Sequence, residues 1–542
     1  MKTTELFPGR ECRLTVQFDQ CDLVERGCAA LAGEARRAGA DFVQLERCNF
    51  YLDGEARVKS LETLARQIRF FEDAGFPVVL WISSLGYGRM ENPDFLRRFP
   101  DYRPLRAFDG SESAVCSTDE AWRDAVAENV RDFIRAGAKT ILFDDDLVQA
   151  CRPGVCCVCD EHLRRFAVRL GVSSVTPEQV RDAYAGAPNP LRTACLDVMG
   201  ESLMDFCRAM RTAADEVDPS VMLATCCSVS QFDLDGVDVP EMVRLLAGTT
   251  PRRPFVRLTG APYWLCFPTN PDNPRNWGQG LGGLVEFLRW QAALLRAEGI
   301  VPMDENDPYP RDSSVVPPAL CEAYDRAMIA DGGIVRNKYV IRHNVKTGDG
   351  IDPAYLAAHL AGHEAAERLA AHFVGAEPVG FEIFAPPHIA RDALLPTPFA
   401  GMREIMRLCS QPLAGILLAA NGAPTRYDRD SGAPLAVFGP AARTLPLEWI
   451  SRGVILDRDG AEILRERGIE LGCGAANATL RIGAWRLSRN GSGGAFAVCD
   501  KGWRELDCRE GSSDPVPVRE IWRFFTGEEM RYFASHPLQG CN

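Results

Sequence analysis

The sequence predicts a (β/α)8 barrel followed by a smaller α/β domain and a small C-terminal β domain. From residue 12 to about residue 375, short apolar runs that end in polar residues alternate eight times with long amphipathic stretches. That alternation is typical of parallel strands connected by helices. The competing interpretation is an open doubly wound sheet, but no glycine-rich phosphate loop follows the first strand. We therefore expect a closed barrel.

The barrel strands are predicted wherever a short apolar run precedes polar residues. In chain order they are Leu14–Phe18, Phe42–Leu45, Pro77–Ile82, Thr140–Phe143, Val221–Thr225, Phe255–Leu258, Ile300–Met303 and Tyr339–Arg342. Apolar residues at helical spacing predict the intervening helices. These are Glu25–Ala38, Leu61–Ala74, Ala121–Ala136, Leu191–Glu216, Val239–Leu246, Leu284–Ala297 and Pro318–Ala330.

The chain changes character after residue 375, which predicts domains at 1–375, 376–475 and 476–542. The middle domain is predicted to be α/β, with two helices, Gly401–Cys409 and Gly460–Glu466. Its predicted strands are Val379–Phe384, Gly415–Ala419, Leu435–Phe438 and Gly453–Leu456. Alternating runs at Thr479–Leu487 and Gly494–Cys499, with a glycine-rich turn between them, predict the small β domain.

Composition excludes several classes of partner. The 542 residues include 61 basic and 74 acidic side chains, a formal charge of −13, which disfavours nucleic acid and anionic membranes. The first residues lack the apolar segment of a signal peptide, and no stretch of about 18 apolar residues occurs. We therefore expect a cytoplasmic protein that binds neither nucleic acid nor membrane. In that reducing compartment the 20 cysteines are expected as thiols or metal ligands.

Polar residues just past the predicted strands should converge, because chemistry in this fold sits at the carboxyl ends of the strands. The candidates are Asp19, Glu46, Arg47, Ser83, Ser84, Asp144, Asp145, Asp146, Ser228, Tyr263, Trp264, Asp304, Glu305, Asn306, Asp307, His343 and Asn344.

A cysteine-rich segment predicts a structural zinc site. Cys157, Cys159 and His162 provide three ligands of the type that tetrahedral zinc prefers, within one turn and the start of a helix. Cys116 is the nearest candidate for the fourth ligand, and Cys151 and Cys156 are its competitors. The alternative is that these residues are ordinary thiols. We expect no organic cofactor.

Two acidic runs end the fourth and seventh predicted strands, at Asp144–Asp146 and Asp304–Asp307. Crowded carboxylates raise one another's pKa, so such runs favour a functional site. Two carboxyl groups facing each other across a barrel suit the cleavage of a glycosidic bond. The same runs could instead bind Mg²⁺ or Mn²⁺, or form a solvated loop.

The order of these features resembles the β-galactosidases of glycoside hydrolase family 42, a family of retaining glycosidases. That family has Asp-Asn-Glu-Tyr after its fourth strand, then a Cys-x-Cys-x-x-Cys zinc segment with a further upstream Cys. Here the corresponding residues are Asp144–Leu147, Cys157–His162 and Cys116, and Met303–Asn306 matches the family's nucleophile motif. Residues Glu448–Asp457 are similar to the family's trimerisation domain.

The resemblance implies a retaining exo-glycosidase that acts on small glycosides or oligosaccharides. Glu305 would be the nucleophile and Asp146 the acid/base, although the family's Asn-Glu pair is Asp145–Asp146 here. The implied sugar-binding residues are Arg47, Asp145, Tyr263, Trp264, Asp304 and His343. The implied assembly is a homotrimer. Two alternatives stay open, a divalent-metal sugar isomerase or lyase and an inactive sugar-binding barrel.

Overall fold

The structure is a computed structural model, and contacts divide the chain into two compact units. It describes residues 13–47, 52–86, 101–150, 154–227, 230–266, 280–309, 311–331, 334–341, 351–373, 376, 378–472, 479–506 and 515–530. The first unit comprises Met1–Tyr184, Asn189–Cys266 and Glu298–Gly375. The second comprises Ala185–Pro188, Phe267–Ala297 and Ala376–Asn542.

The first unit contains eight parallel strands and a two-stranded hairpin. The parallel strands are β1 (Leu14–Phe18), β2 (Phe42–Arg47), β3 (Val78–Ile82), β6 (Thr140–Phe143), β7 (Met222–Cys227), β8 (Phe255–Leu258), β9 (Val301–Met303) and β10 (Arg336–Lys338), and the hairpin is β4 (Pro104–Arg106) with β5 (Glu112–Val115). The parallel strands are hydrogen-bonded in the order β10-β1-β2-β3-β6-β7-β8-β9. Backbone bonds from Asp304 N to Val335 O and from Asn306 N to Asn337 O, both 2.9 Å, close the ring between β9 and β10. The predicted (β/α)8 barrel is confirmed.

Helices follow the barrel strands as the amphipathic pattern predicts. They are α1 (Gln20–Glu25), α2 (Cys28–Arg37), α3 (Gly54–Asp73), α4 (Glu120–Arg135), α5 (Asp160–Leu170), α6 (Pro177–Ala183), α7 (Pro190–Asp215), α8 (Val239–Ala247), α9 (Tyr263–Cys266), α10 (Gly280–Ala297), α11 (Pro318–Ala330) and α12 (Pro353–Phe373), of which α10 belongs to the second unit. Asp119 caps α4, accepting a hydrogen bond from Trp122 N at 2.7 Å. Among the described residues, none of the helices has the length and apolar character needed to cross a membrane.

The eighth barrel strand lies earlier than predicted. The apolar run at Tyr339–Arg342 is wrong as the strand position, because Arg336–Lys338 is the segment that pairs with β1. All three strand residues are polar yet buried. Lys338, for example, bonds Glu322 at 2.6 Å. A strand whose buried side chains are neutralised by ion pairs carries no apolar pattern to detect.

The second unit is built on one mixed sheet. Its strands are β11 (Phe381–Ile383), β12 (Thr425–Arg426), β13 (Leu435–Val437), β14 (Val454–Leu456), β15 (Leu480–Ile482), β16 (Trp485–Arg489) and β17 (Ala495–Cys499), in the order β12-β11-β13-β14-β17-β16-β15. Its further α-helices are α13 (Met402–Cys409), α14 (Leu413–Ala420), α15 (Arg458–Glu466) and α16 (Val518–Thr526). The C-terminal strands extend this sheet, with β17 parallel to β14 and antiparallel to β16.

The predicted strand at Gly415–Ala419 is wrong, because these residues lie within helix α14. Seven of the eight residues of α14 are buried, so the helix is apolar on every side. A short, continuously apolar run has the same sequence pattern in a buried helix and a buried strand.

Candidate active site and metal centre

Glu305 is the central carboxyl group at the barrel mouth, the term used here for the carboxyl ends of the eight strands. It follows β9 and is only 8% exposed. The hydroxyl of Tyr339 donates to Glu305 Oε1 at 3.2 Å, which orients the carboxyl group. Among the described residues, Glu305 Oε2 has no hydrogen-bond partner. One oxygen is therefore held by the protein, while the other is buried with no hydrogen-bond partner among the described residues.

The surroundings of Glu305 favour its protonated form. Burial raises the pKa of Glu305 to about 8, Arg257 opposes that rise, and the carboxylates of Asp145, Asp307 and Asp144 add to it. These electrostatic neighbours place carboxyl groups from the fourth and seventh barrel strands in one site. A strongly perturbed pKa in such a cluster is a common property of functional sites.

The three carboxyl groups of Asp144–Asp146 serve different partners. Asp144 Oδ1 accepts a hydrogen bond from Arg257 Nη2 at 2.5 Å in a buried ion pair. Asp145 is half-buried and is one of the groups that raise the pKa of Glu305. Asp144 and Asp145 therefore both act electrostatically on Glu305.

Asp146 is turned toward the loop after β3. Its carboxylate is fully buried and accepts bonds from Ser84 N at 2.8 Å, Ser84 Oγ at 2.7 Å and Gly86 N at 2.7 Å. Gly86 has φ +80°, a conformation that glycine adopts without strain. Hydrogen bonds to both oxygens hold Asp146 against this loop, as is typical of a structural carboxylate.

Aromatic rings and a second guanidinium surround the carboxyl cluster. The rings of Trp81 and Tyr339 meet edge to face with centroids 6.3 Å apart, and Tyr263 meets Tyr309 in the same way at 5.9 Å. Arg311 lies 5.3 Å from the Tyr339 ring centroid and bonds Asp307 Oδ2 at 2.9 Å. Its φ of +69° is uncommon for a non-glycine residue, and such strained backbone is concentrated at functional sites.

For three of the predicted sugar-binding residues, the structure shows burial or hydrogen bonds within the barrel wall. Gln44 bonds Asn337 across the barrel interior, so strand alternation turns Glu46 inward and Arg47 outward. Arg47 accordingly hydrogen-bonds Gln67 of α3. Asp304 is fully buried and accepts a bond from Asn337 N at 2.7 Å. Trp264 is buried within α9. The predicted residues Ser228, His343 and Asn344 lie outside the described residues.

Arg257 and Tyr339 are site residues that the sequence analysis missed. Arg257 belongs to β8, whereas the predicted site residues all follow the predicted strands. The missed signal is a charged residue inside an apolar strand, because such a residue is buried only when it is paired. Tyr339 was assigned to the strand itself.

The four predicted zinc ligands meet in one buried cluster, Cys116, Cys157, Cys159 and His162, whose donor atoms lie within 4.8 Å of one another. Cys116 follows β5, and Cys159 is the N-cap of α5. A backbone bond from Val158 N to Arg106 O at 2.8 Å joins the two segments. Of the competitors, Cys156 is not a member, and Cys151 lies outside the described residues.

The donor distances suit a tetrahedral zinc ion. Zinc–sulfur bonds of about 2.3 Å and zinc–nitrogen bonds of about 2.0 Å require donors roughly 3.5 to 3.8 Å apart. Cys116 Sγ lies 3.8 Å from Cys159 Sγ and 3.5 Å from His162 Nδ1. Cys159 Sγ lies 3.3 Å from His162 Nδ1. Among the described residues, the carboxylates at the barrel mouth form no comparable cluster.

The fold is similar to solved structures of beta-galactosidases. The crystal structure of beta-galactosidase from Bacillus circulans sp. alkalophilus matches with a TM-score of 0.56 and 10% identity, covering 90% of this chain and 86% of that chain. The beta-galactosidase from the psychrophilic Marinomonas ef1 matches with a TM-score of 0.53 and 11% identity, covering 90% and 88%. At these identities the likeness shows the fold. The sequence matches no family model and no curated protein.

Proposed function

We propose that this protein is a glycoside hydrolase of the retaining, exo-acting, β-galactosidase-like type, acting on small glycosides or oligosaccharides. The observation that carries the proposal is Glu305, a buried carboxyl group with one oriented oxygen and one unpartnered oxygen, whose pKa is raised by Asp144 and Asp145. Carboxyl groups contributed by two different strands at the same barrel mouth are what glycosidic cleavage needs. The beta-galactosidase structures with this fold support the same class.

In the proposed mechanism Glu305 Oε2 attacks the anomeric carbon while the bond to the leaving oxygen breaks. Asp145 donates its proton to that oxygen. In the second step Asp145 takes a proton from water, the water oxygen attacks the anomeric carbon, and Glu305 is released. We assign the acid to Asp145 because the carboxylate of Asp146 already accepts hydrogen bonds from the loop after β3.

The proposal is tested by incubating the protein with a panel of nitrophenyl glycosides and following the first-formed sugar anomer by NMR. We expect hydrolysis of a β-glycoside with retained configuration. An inverted product would contradict the nucleophile role of Glu305. A sugar-binding barrel without turnover is the second candidate, favoured by the structural use of Asp146, and hydrolysis of any glycoside in the panel would exclude it.

We expect kcat/KM to fall with an alkaline limb near pH 8. Because burial raises the pKa of Glu305 to about 8, the Glu305–Asp145 pair holds one proton at neutral pH. Attack requires that proton to lie on Asp145 and not on Glu305. Above about pH 8 the pair loses its last proton and the leaving oxygen has no donor. Measurements of kcat/KM from pH 5 to pH 10 check this, and a profile that still rises at pH 10 would refute it.

Paired variants separate the two aspartates. Asp145→Asn should lower kcat by about 100-fold or more with little change in Tm, because it removes a proton donor. Asp146→Asn should instead lower Tm, since an amide nitrogen would face the N–H groups of Ser84 and Gly86. Thermal unfolding and kcat, measured on both variants, give the comparison. The reverse pattern would return the acid role to Asp146.

We propose that zinc is bound by Cys116, Cys157, Cys159 and His162. Four protein ligands leave no open position, so zinc would supply structural cross-linking and not chemistry. Thiolate ligands suit a reducing compartment, in keeping with a cytoplasmic location.

We propose a homotrimer as the assembly, resting on the resemblance of residues 448–457 to trimerisation domains. Light scattering at micromolar concentration should give three times the mass of the chain. A monomer would contradict the trimer while leaving the proposed reaction untouched.

A further inference from the structure

Arg257 enters the barrel from β8 and is fully buried. Its guanidinium carbon lies 4.3 Å from the ring centroid of Trp81, a cation–π distance. Arg257 also lowers the pKa of Glu305, so the guanidinium lies within electrostatic range of the proposed nucleophile. Burying an arginine side chain costs free energy unless its charge is paired and its N–H donors have hydrogen-bond partners.

Two of the three guanidinium nitrogens bond to protein groups. Nη2 donates to Asp144 Oδ1 at 2.5 Å, and Nε donates to the sulfur of Cys226 at 3.3 Å. The remaining nitrogen, Nη1, is buried and has no hydrogen-bond partner among the described residues. An unpaired buried donor costs about 1 to 3 kcal/mol, and more when it is charged.

The same cluster contains an unpaired acceptor, Oε2 of Glu305. A buried donor and a buried acceptor that both lack partners are complementary to a ligand that carries hydroxyl groups. The Trp81 ring beneath the guanidinium provides a rigid support that fixes the direction of Nη1. Arg47 does not provide such a donor, because its side chain hydrogen-bonds Gln67 on the outer side of the barrel.

We propose that Arg257 binds the sugar directly, with Nη1 donating a hydrogen bond to a hydroxyl group of a neutral sugar ring seated against Glu305. The inference deepens the proposed glycosidase function and rests on it for the identity of the ligand. It requires only that sugar binds, and so it can be tested without turnover.

The charge balance of the site favours a neutral sugar over a uronate or a sugar phosphate. The acidic groups are Asp144, Asp145, Glu305 and Asp307, and the basic groups are Arg257 and Arg311. Each guanidinium is already paired, Arg257 with Asp144 and Arg311 with Asp307. An additional anion would meet uncompensated carboxylate charge, which disfavours its binding.

Calorimetric titration of the full chain with D-galactose, its 2-, 3-, 4- and 6-deoxy analogues and D-galacturonate tests the proposal. For the wild type we expect one deoxy analogue to bind about 10- to 100-fold more weakly than galactose, the effect of a lost bond to a charged donor. Arg257→Lys keeps the positive charge but replaces the guanidinium, with its several N–H donors, by a single ammonium group. This variant should bind galactose more weakly and should no longer discriminate against that analogue. Galacturonate should bind at least tenfold more weakly than galactose.

Arg252→Lys is the matched control, because Arg252 precedes the same strand and bonds Thr140 and backbone oxygens at its other end. It should retain the wild-type preferences. A crystal soaked with galactose provides a measurement that needs no variant, with a sugar oxygen expected within about 3.2 Å of Nη1. Unchanged discrimination in Arg257→Lys, a sugar distant from Nη1, equal binding of galacturonate, or no sugar binding by the wild type would each overturn the proposal. Absence of hydrolysis with sugar still bound would overturn only the proposed enzyme activity.

Discussion

Replacing Glu305 by Gln is expected to lower kcat on a nitrophenyl glycoside by about four orders of magnitude, the scale of losing a covalent nucleophile. Gln has nearly the same volume, and its carbonyl oxygen can still accept the hydrogen bond from Tyr339. The loss would therefore follow from the missing carboxylate and not from a disrupted site. Initial rates at saturating substrate measure it.

Glu298→Gln is the matched control for this prediction. Glu298 precedes β9, is about half exposed and pairs with Arg244 on the surface, so its variant should keep kcat within about twofold. Glu305→Ala with added azide provides a second measurement, because an external nucleophile should restore turnover and form a glycosyl azide. A Glu305→Gln enzyme with more than a tenth of wild-type kcat would refute the assignment.

The Glu305→Gln variant should gain thermal stability relative to the wild type as the pH rises, although it loses activity. The native state holds the Glu305 proton up to about pH 8, whereas an unfolded glutamate releases it near pH 4.5, so the wild type loses stability as the pH rises between these values. The loss is at most about 1.4 kcal/mol per pH unit. Because Gln does not titrate, the Tm of Glu305→Gln relative to wild type should be higher at pH 8 than at pH 5. A Tm difference independent of pH would contradict the buried-carboxyl explanation.

The barrel could be predicted from sequence because most of its strands are short and continuously apolar. The β1, β6 and β8 positions match their predictions residue for residue. The same logic failed at β10, where Arg336 and Lys338 are buried through ion pairs with Asp325 and other acids. Apolar periodicity reports burial by the hydrophobic effect and is insensitive to burial by charge pairing.

The site was predictable in its location but not in its detail. Placing Glu305 at the barrel mouth required only the order of the strands. The direction of Asp146 depends on N–H groups of the loop after β3, which is 60 residues away in sequence. The inward position of Arg257 depends on the register of β8 with β7. Both are tertiary properties that a residue pattern along one strand does not contain.

Replacing Cys159 by Ser is expected to remove zinc from the protein and to lower the Tm by about 10 °C. Zinc bound only by the folded state contributes its binding free energy to folding, and loss of one ligand from a four-ligand site removes most of that affinity. Elemental analysis of protein purified without added metal should give one zinc per wild-type chain and less than about 0.1 per variant chain. Cys207→Ala is the matched control, because Cys207 is a buried thiol on α7 outside the cluster.

The Cys159→Ser variant should also lose activity, although none of the four proposed zinc ligands is assigned a contact with the sugar. Asp144–Asp146, Cys157 and Cys159 belong to the connection between β6 and α5, and His162 lies in the first turn of α5. Gln149 lies between them in sequence, with its Oε1 3.9 Å from Cys116 Sγ. Releasing one end of that connection should loosen Asp145, so kcat should fall by about tenfold or more while zinc-replete Cys207→Ala keeps it. Wild-type protein that is folded and active with no zinc would establish the four residues as a buried thiol cluster. Zinc loss without any loss of kcat would show that the acidic run is positioned by the loop after β3 alone.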